Sequence, residues 1–372
     1  MRKSASPEAK GAASPLASLD FNLTPFIVFW EVTRACAFAC RHCRAKAQPR
    51  RHPQELGTEE GFRLIDQVAD TKAPLLVFTG GDPMMRPDIL KLISYAAGRV
   101  RRVSLAPTAT NLVTPQAVEA AWQAGVSRFS VSLDGATADV QDSFRGMPGS
   151  FKRTMEILEV ITGRGYSVQV NTTVSRYNVD MMEEMASMVG RLHPAMWDLF
   201  FLVPTGRGTR DDMINPQQHE EVFRWLYHYS RTAPFDIKTT AGQHYRRVAI
   251  QESGGGGVVA PGFTSGDGIG RARGVNDGNG CCFVSHTGEV YPSGFLPLVA
   301  GNVRQTPLSQ LYRDTNLFQE LRDTTRLKGK CGRCEYNIVC GGSRSRAYAV
   351  TGDYLQAEPY CIYQPEAEYG RP

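Results

Sequence analysis

Between Thr24 and Tyr229 the chain repeats one pattern six times: a short apolar run of β type, then an amphipathic stretch with helical period. Strands are expected at Ile27–Val32, Leu75–Thr79, Arg102–Pro107, Ser127–Leu133, Ser167–Val174 and Trp197–Val203. The first helix is expected over Thr58–Lys72. Thr58 is its N-cap, Glu59 and Glu60 sit in its first turn, and Phe62, Ile65, Val68 and Ala69 share one face. Further helices are expected from about Pro87, Thr114, Ser150 and Val179, and after Asn215. Consecutive β-then-α units imply parallel strands joined by right-handed crossovers. Six units fall two short of a closed eight-stranded barrel. The expected fold is therefore α/β, a partial (β/α)6 TIM-like barrel, with function in the loops at the C-terminal ends of the strands.

The rest of the chain divides around this core. Residues 1–20 are rich in Ser, Ala and Pro, lack the apolar block of a secretory signal, and are read as a disordered tail before a core at 21–235. Residues 236–280, including Gly254–Gly257 and Gly266-Asp267-Gly268-Ile269-Gly270, are read as a linker and a Gly-rich mobile loop. That glycine run lacks the preceding strand and the spacing of a dinucleotide site. Residues 281–372 form a smaller α+β unit, with a hairpin of Phe283–Ser285 and Glu289–Tyr291 and a helix over Pro307–Leu321. No apolar run reaches the roughly 18 residues of a membrane span. The net charge of +5 is dispersed along the chain, which argues against nucleic acid and suits an anionic small substrate. A cytoplasmic location follows, where nine cysteines point to metal or catalysis before disulfides.

Seven of these cysteines form two sets. Directly after the first strand stand Cys36, Cys40 and Cys43, separated by three and two residues. Three thiolates at this spacing can hold a cubane cluster and leave its fourth iron without a protein ligand. Near the end, Cys331, Cys334, Cys340 and Cys361 lie among glycine-rich turns. Four thiolates satisfy one metal site, either a cubane or a structural zinc ion.

With its first set after the first strand, the chain resembles the radical S-adenosylmethionine (SAM) superfamily from about Pro25 to Arg207. The resemblance extends to Thr79-Gly80-Gly81-Asp82-Pro83, similar to that family's GGEP element with Asp for Glu, and to His42 at a usually aromatic position near the adenine. It implies SAM-facing roles for Gly80, Gly81, Asp82, Pro83, Thr110, Asn111, Ser132, Arg145 and Asn171, and places Pro204–Gly208 at the adenine side. The implied chemistry is reductive cleavage of SAM by a 4Fe–4S cluster, fed by a donor such as flavodoxin or ferredoxin. Such clusters reach roughly −700 mV at the low extreme.

The second set resembles the auxiliary-cluster domain called SPASM, or its shortened twitch form, which implies a second 4Fe–4S cluster. Two positions where a full SPASM domain has cysteines hold Ser293 and Arg344, so one auxiliary cluster is expected, with Cys281 and Cys282 as core thiols. The segment Gly341–Leu355 and the cysteine spacing are most similar to enzymes of heme d1 synthesis and of the alternative heme pathway, which act on tetrapyrrole propionates. Arg344 and Arg346 then either pair with substrate carboxylates or brace the cluster loop. The alternatives are a maturase of a ribosomal peptide or enzyme, and a non-catalytic Fe–S or zinc scaffold. No general acid or base stands out; His286, Tyr348, Asp353 and Tyr354 lie in the same region.

Overall fold

A computed structural model describes residues 19–254 and 274–366. The expected tail, except for its last two residues, and the Gly-rich run after Gly254 lie outside them.

The described residues form one ten-stranded sheet: β1 Ile27–Glu31, β2 Leu75–Thr79, β3 Arg102–Leu105, β4 Arg128–Ser132, β5 Val168–Val174, β6 Met196–Phe201, β7 Asp236–Thr240, β8 Cys281–Val284, β9 Glu289–Tyr291 and β10 Gly301–Asn302. The spatial order is β10-β9-β8-β1-β2-β3-β4-β5-β6-β7. Strands β1 to β7 pair in parallel. The six expected strands are present with ends shifted by a residue or two, and the barrel reading holds.

Two features lie beyond that reading. Residues 236–254 are not linker: β7 pairs with β6 over Asp236–Thr240, and the helix Tyr245–Glu252 follows it. The sequence Asp-Ile-Lys-Thr-Thr carries one strong apolar residue, so its periodicity is silent. The small unit is not detached either. Its strand β8 pairs in parallel with β1, from Ile27 with Cys281 to Trp30 with Val284, and carries the antiparallel β9 as the expected hairpin. The expected helix over Pro307–Leu321 is two helices, Leu308–Asp314 and Asn316–Arg322, broken where Thr315 turns extended at ψ 138°.

Alternation along the strands separates core from cavity. On β1, Val28 and Trp30 face helices in the main core, whereas Ile27 and Phe29 line the barrel interior. Burying each large apolar side chain such as Trp30 or Phe78 contributes about 1.5–3 kcal/mol. The helix Thr58–Asp70 has its N-cap one residue before the expected one, at Gly57, whose N–H donates to Glu60 at 2.8 Å. Thr58 instead donates its hydroxyl to Asp88 at 2.7 Å. The helices starting at Pro115 and Pro216 are capped by Thr114 and Asn215.

Candidate active site

The loop after β1 carries the first cysteine set, and three distant segments pin it. Beyond β2, Gly81 N–H donates to Thr33 O at 2.8 Å and Asp82 N–H to Ala35 O at 2.7 Å. A Cβ at Gly81 would stand 2.4 Å from Ala35 O, so only glycine lets these backbones meet. After β6, Arg207 donates to Cys40 O at 2.8 Å and Ala47 O at 3.1 Å. Gly206, at φ +66°, lies where a Cβ would be 2.3 Å from Cys43 O. Beyond β4, Phe144 O accepts from Arg41 N at 3.0 Å, and the Phe144 ring stacks on His42 at 4.2 Å.

Through the barrel interior and up to its mouth runs a cavity of about 1400 Å³, lined by all three loop cysteines. Of the expected SAM-facing residues, His42, Gly80, Gly81, Ser132, Arg145 and Asn171 line it. Asp82, Pro83, Thr110 and Asn111 do not. Asp82 is fully buried and accepts from Met84 N, Thr108 N and the Thr110 hydroxyl, so it ties β2 to the loop after β3. Burial pushes its carboxyl up. Asn111 is exposed.

Arg145 joins the site to the core. Its Nη2 lies 2.5 Å from Asp134 Oδ2 and its Nη1 3.9 Å from Cys40 Sγ, while its buried Nε has no acceptor. The helix Ala138–Arg145, which presents it, is additional to the expected elements. His42 is half-buried, its enclosed Nδ1 has no partner, and desolvation lowers its pKa to about 4, so the imidazole is neutral at pH 7.

Sequence patterning missed a polar network in the same cavity. Lys238 Nζ lies 2.6 Å from Asp198 Oδ2 and 3.1 Å from Thr240 Oγ1, and Gln169 bridges Asn171 at 2.7 Å to Asp198 at 3.2 Å. The inward residues of β5 to β7 build it, and only the strand register brings them together. Cys281 also lines the cavity, whereas Cys282 points into the main core. Burial pushes both thiols up, as in core thiols.

The second set sits beside the helix that follows β7, where Arg247 lies 4.0 Å from Cys361 Sγ. Glu358 N–H donates to Cys331 Sγ at 3.3 Å and Gly342 N–H to Cys340 Sγ at 3.4 Å. Arg344 and Arg346 are fully buried, so both brace the fold rather than face a substrate. Arg344 donates to Tyr354 O and Gln356 O and lies 4.0 Å from Cys331 Sγ. Arg346 pairs with Glu358 at 3.3 Å and donates to Phe201 O and Ala241 O. His286 is held by Glu31 at 2.9 Å, Asp353 by Lys328 at 2.6 Å, and Tyr354 by Glu320; these three and Tyr348 lie outside the cavity lining.

No three His, Cys, Asp or Glu side chains among the described residues converge on one metal-ion position, so the fit of a cluster rests on donor chemistry. The first set suits thiolates: Phe38 N–H donates to Cys36 at 3.3 Å, Ala47 N–H to Cys43 at 3.4 Å, and Arg145 approaches Cys40. In the second, backbone N–H groups of Tyr336 and Tyr363 serve Cys334 and Cys361. Burial pushes Cys36 up to about 11 and Cys340 up to about 12, so iron must displace the protons.

Comparison with known proteins agrees with this geometry. Residues 30–189 match the Radical SAM superfamily. The chain is 41% identical over 341 residues to the AdoMet-dependent heme synthase of Methanosarcina barkeri, covering 92% of this chain and 97% of that protein. It is 41% identical over 357 residues to the AdoMet-dependent heme synthase of Nitratidesulfovibrio vulgaris, with 95% and 96% covered. The crystal structure of Streptococcus suis SuiB bound to precursor peptide SuiA shares the fold at TM-score 0.71 and 15% identity, over 92% of this chain and 76% of that one. No helix among the described residues is long and apolar enough to cross a membrane. The chain belongs to the radical SAM superfamily, whose members use SAM and a 4Fe–4S cluster.

Proposed function

We propose that this enzyme uses a 5′-deoxyadenosyl radical to modify a propionate side chain of a tetrapyrrole, a heme or heme d1 precursor. One observation carries the reading: a three-thiol loop opens into a cavity of about 1400 Å³, large enough for SAM and a bulky second molecule. Similarity along nearly the whole chain to proteins named heme synthases supports the substrate class.

Cys36, Cys40 and Cys43 would hold the SAM-cleaving cluster, and Cys331, Cys334, Cys340 and Cys361 a second 4Fe–4S cluster. When bound, the first cluster and SAM supply a low-potential electron and the radical. The protein then positions and shields. The Gly80-Gly81 edge offers the SAM amino group a backbone acceptor, and Arg145 Nε offers the SAM carboxylate a donor. Ser132 and Asn171 face the same space, and the neutral His42 leaves the adenine side uncharged. Asp82, Thr110, Pro83 and Asn111 lie outside that space, and Asp82 with Thr110 holds the strand ends in register. Loss of one hydrogen atom and CO2 from a propionate gives a vinyl group and releases one electron. Cys331, Cys334, Cys340 and Cys361 would hold the group that accepts that electron. Flavodoxin or ferredoxin would supply the first one, in a cytoplasmic setting.

The test is anaerobic incubation of reconstituted protein with SAM, a strong reductant and iron-coproporphyrin, followed by chromatography and mass spectrometry. The expected products are 5′-deoxyadenosine and a decarboxylated tetrapyrrole. An unchanged tetrapyrrole beside a modified peptide substrate would replace this reading with that of a peptide maturase.

A further inference from the structure

We propose that Arg246 anchors a substrate carboxylate at the end of the cavity nearest the second cysteine set; this rests on the tetrapyrrole reading above. Arg246 lies in the first turn of the helix that follows β7, at the C-terminal end of the barrel strands, and lines the cavity. Two backbone carbonyls hold its guanidinium: Nη1 donates to Val339 O at 3.0 Å and Nη2 to Val275 O at 2.7 Å. Val339 precedes Cys340, so the arginine stands between the barrel and the second set.

Charge balance separates Arg246 from three of the five other cations that line the cavity: Arg44 has Glu31 at 2.9 Å, Lys238 has Asp198 at 2.6 Å and Arg145 has Asp134 at 2.5 Å. Arg246 has no such partner among the described residues, and Cys340 is the ionisable group acting on it. Guanidinium has five N–H donors in a planar fork, and the two carbonyl contacts leave the others for a ligand. Arg246 is half-buried at the cavity wall, so a ligand that pairs with it adds a charge-assisted hydrogen bond. A bidentate carboxylate is the ligand that best matches the fork. The wall beside it is apolar, made by Ala249, Ile250, Ile338 and Val339. A guanidinium at the edge of an apolar wall suits a flat macrocycle bearing carboxylate arms.

The competing role is local: Arg246 would only offset the thiolate of Cys340. Absorbance titration of reconstituted full-length protein with iron-coproporphyrin, and separately with its tetramethyl ester, distinguishes the two. For Arg246→Gln, affinity for the acid should fall about ten- to a hundredfold, with ester affinity unchanged. Arg246→Lys should recover part of the loss, because a point charge replaces the fork. Iron content and EPR-monitored reduction potential of the variants report on the cluster itself. Unchanged acid affinity in Arg246→Gln, or equal losses for acid and ester, overturns the anchor, and a shifted potential beside unchanged affinity assigns the local role instead. If wild-type protein binds neither form, the tetrapyrrole reading fails and takes the anchor with it. If it binds both and the variant matches it, the anchor alone fails.

Discussion

The two cysteine sets share one ligand type and differ in how they are held. The first is a short loop held open by segments far away in sequence: Gly81 and Asp82 after β2, Phe144 before the β5 crossover helix, and Gly206 and Arg207 after β6. The second is held by its own neighbourhood, where Gly342, Arg344 and Glu358 serve the thiols of Cys340 and Cys331, and by the helix after β7, where Arg247 lies 4.0 Å from Cys361 Sγ and Arg246 donates to Val339 O. On the proposed reading, three thiols leave a reactive position that a barrel mouth must enclose, whereas four close a centre that loop turns can cradle.

The largest test of this contrast is removal of one ligand from each side. Cys40→Ala should abolish 5′-deoxyadenosine release and lower iron from about eight to about four per chain. Cys340→Ala should lose a similar share of iron but keep the EPR signal of the SAM-cleaving centre. If either substitution emptied both sites, the two centres would not be independently held.

A smaller effect probes how each loop is pinned. Gly206→Ala meets backbone at 2.3 Å with φ at +66° and should destabilise the fold by more than about 1 kcal/mol. It should also lower cluster content at the first set. Gly352→Ala, near the second set, has φ +82° and nothing within 4 Å, so the conformational cost of about 1–2 kcal/mol is all that it should show. Thermal melts and iron assays compare the pair. Equal iron loss in both would remove the distinction.

Acid should act more gently, and on both sides. Burial lowers His219, which packs against Tyr360 near Cys361, to about 3, while His42 by the first set falls to about 4. Both are neutral in the fold and ordinary when unfolded, so only the unfolded chain gains protons as pH drops below about 6.5. Stability is full above that pH and declines as it falls toward the folded values. Between pH 6.5 and 5 each contributes a loss of about 2 kcal/mol. Urea melts of His219→Gln and His42→Gln should each show a flatter decline, with His219→Gln alone flatter below pH 4. Parallel curves for wild type and variants would refute burial as the source.

Much of this was legible in the chain. The strands from β1 to β6 announced themselves because each is an apolar run between amphipathic helices, and their burial pays in the same pattern. Cys36, Cys40 and Cys43 were legible as one group because they stand close together along a short loop, and all three line the same cavity. The glycines at 80 and 81 were legible as a motif, although their reason, backbone contact with Thr33 and Ala35, was not. Arg344 and Arg346 looked equally suited to bracing and to binding, and their complete burial decided it. Asn111 sat in a plausible order along the chain yet faces solvent, because a strand-end position does not fix side-chain direction.

The sequence by itself determined the parallel β/α core and the two cysteine sets, since period and spacing are local properties of a chain. Tertiary structure decided the membership of β7 and β8 in the same sheet, the network of Gln169, Asp198 and Lys238, and the placing of Arg246 between Val275 and Val339. Those depend on which strands become neighbours and which acids lie within reach. No local pattern records either, because both arise only when residues far apart in the chain share one enclosed space.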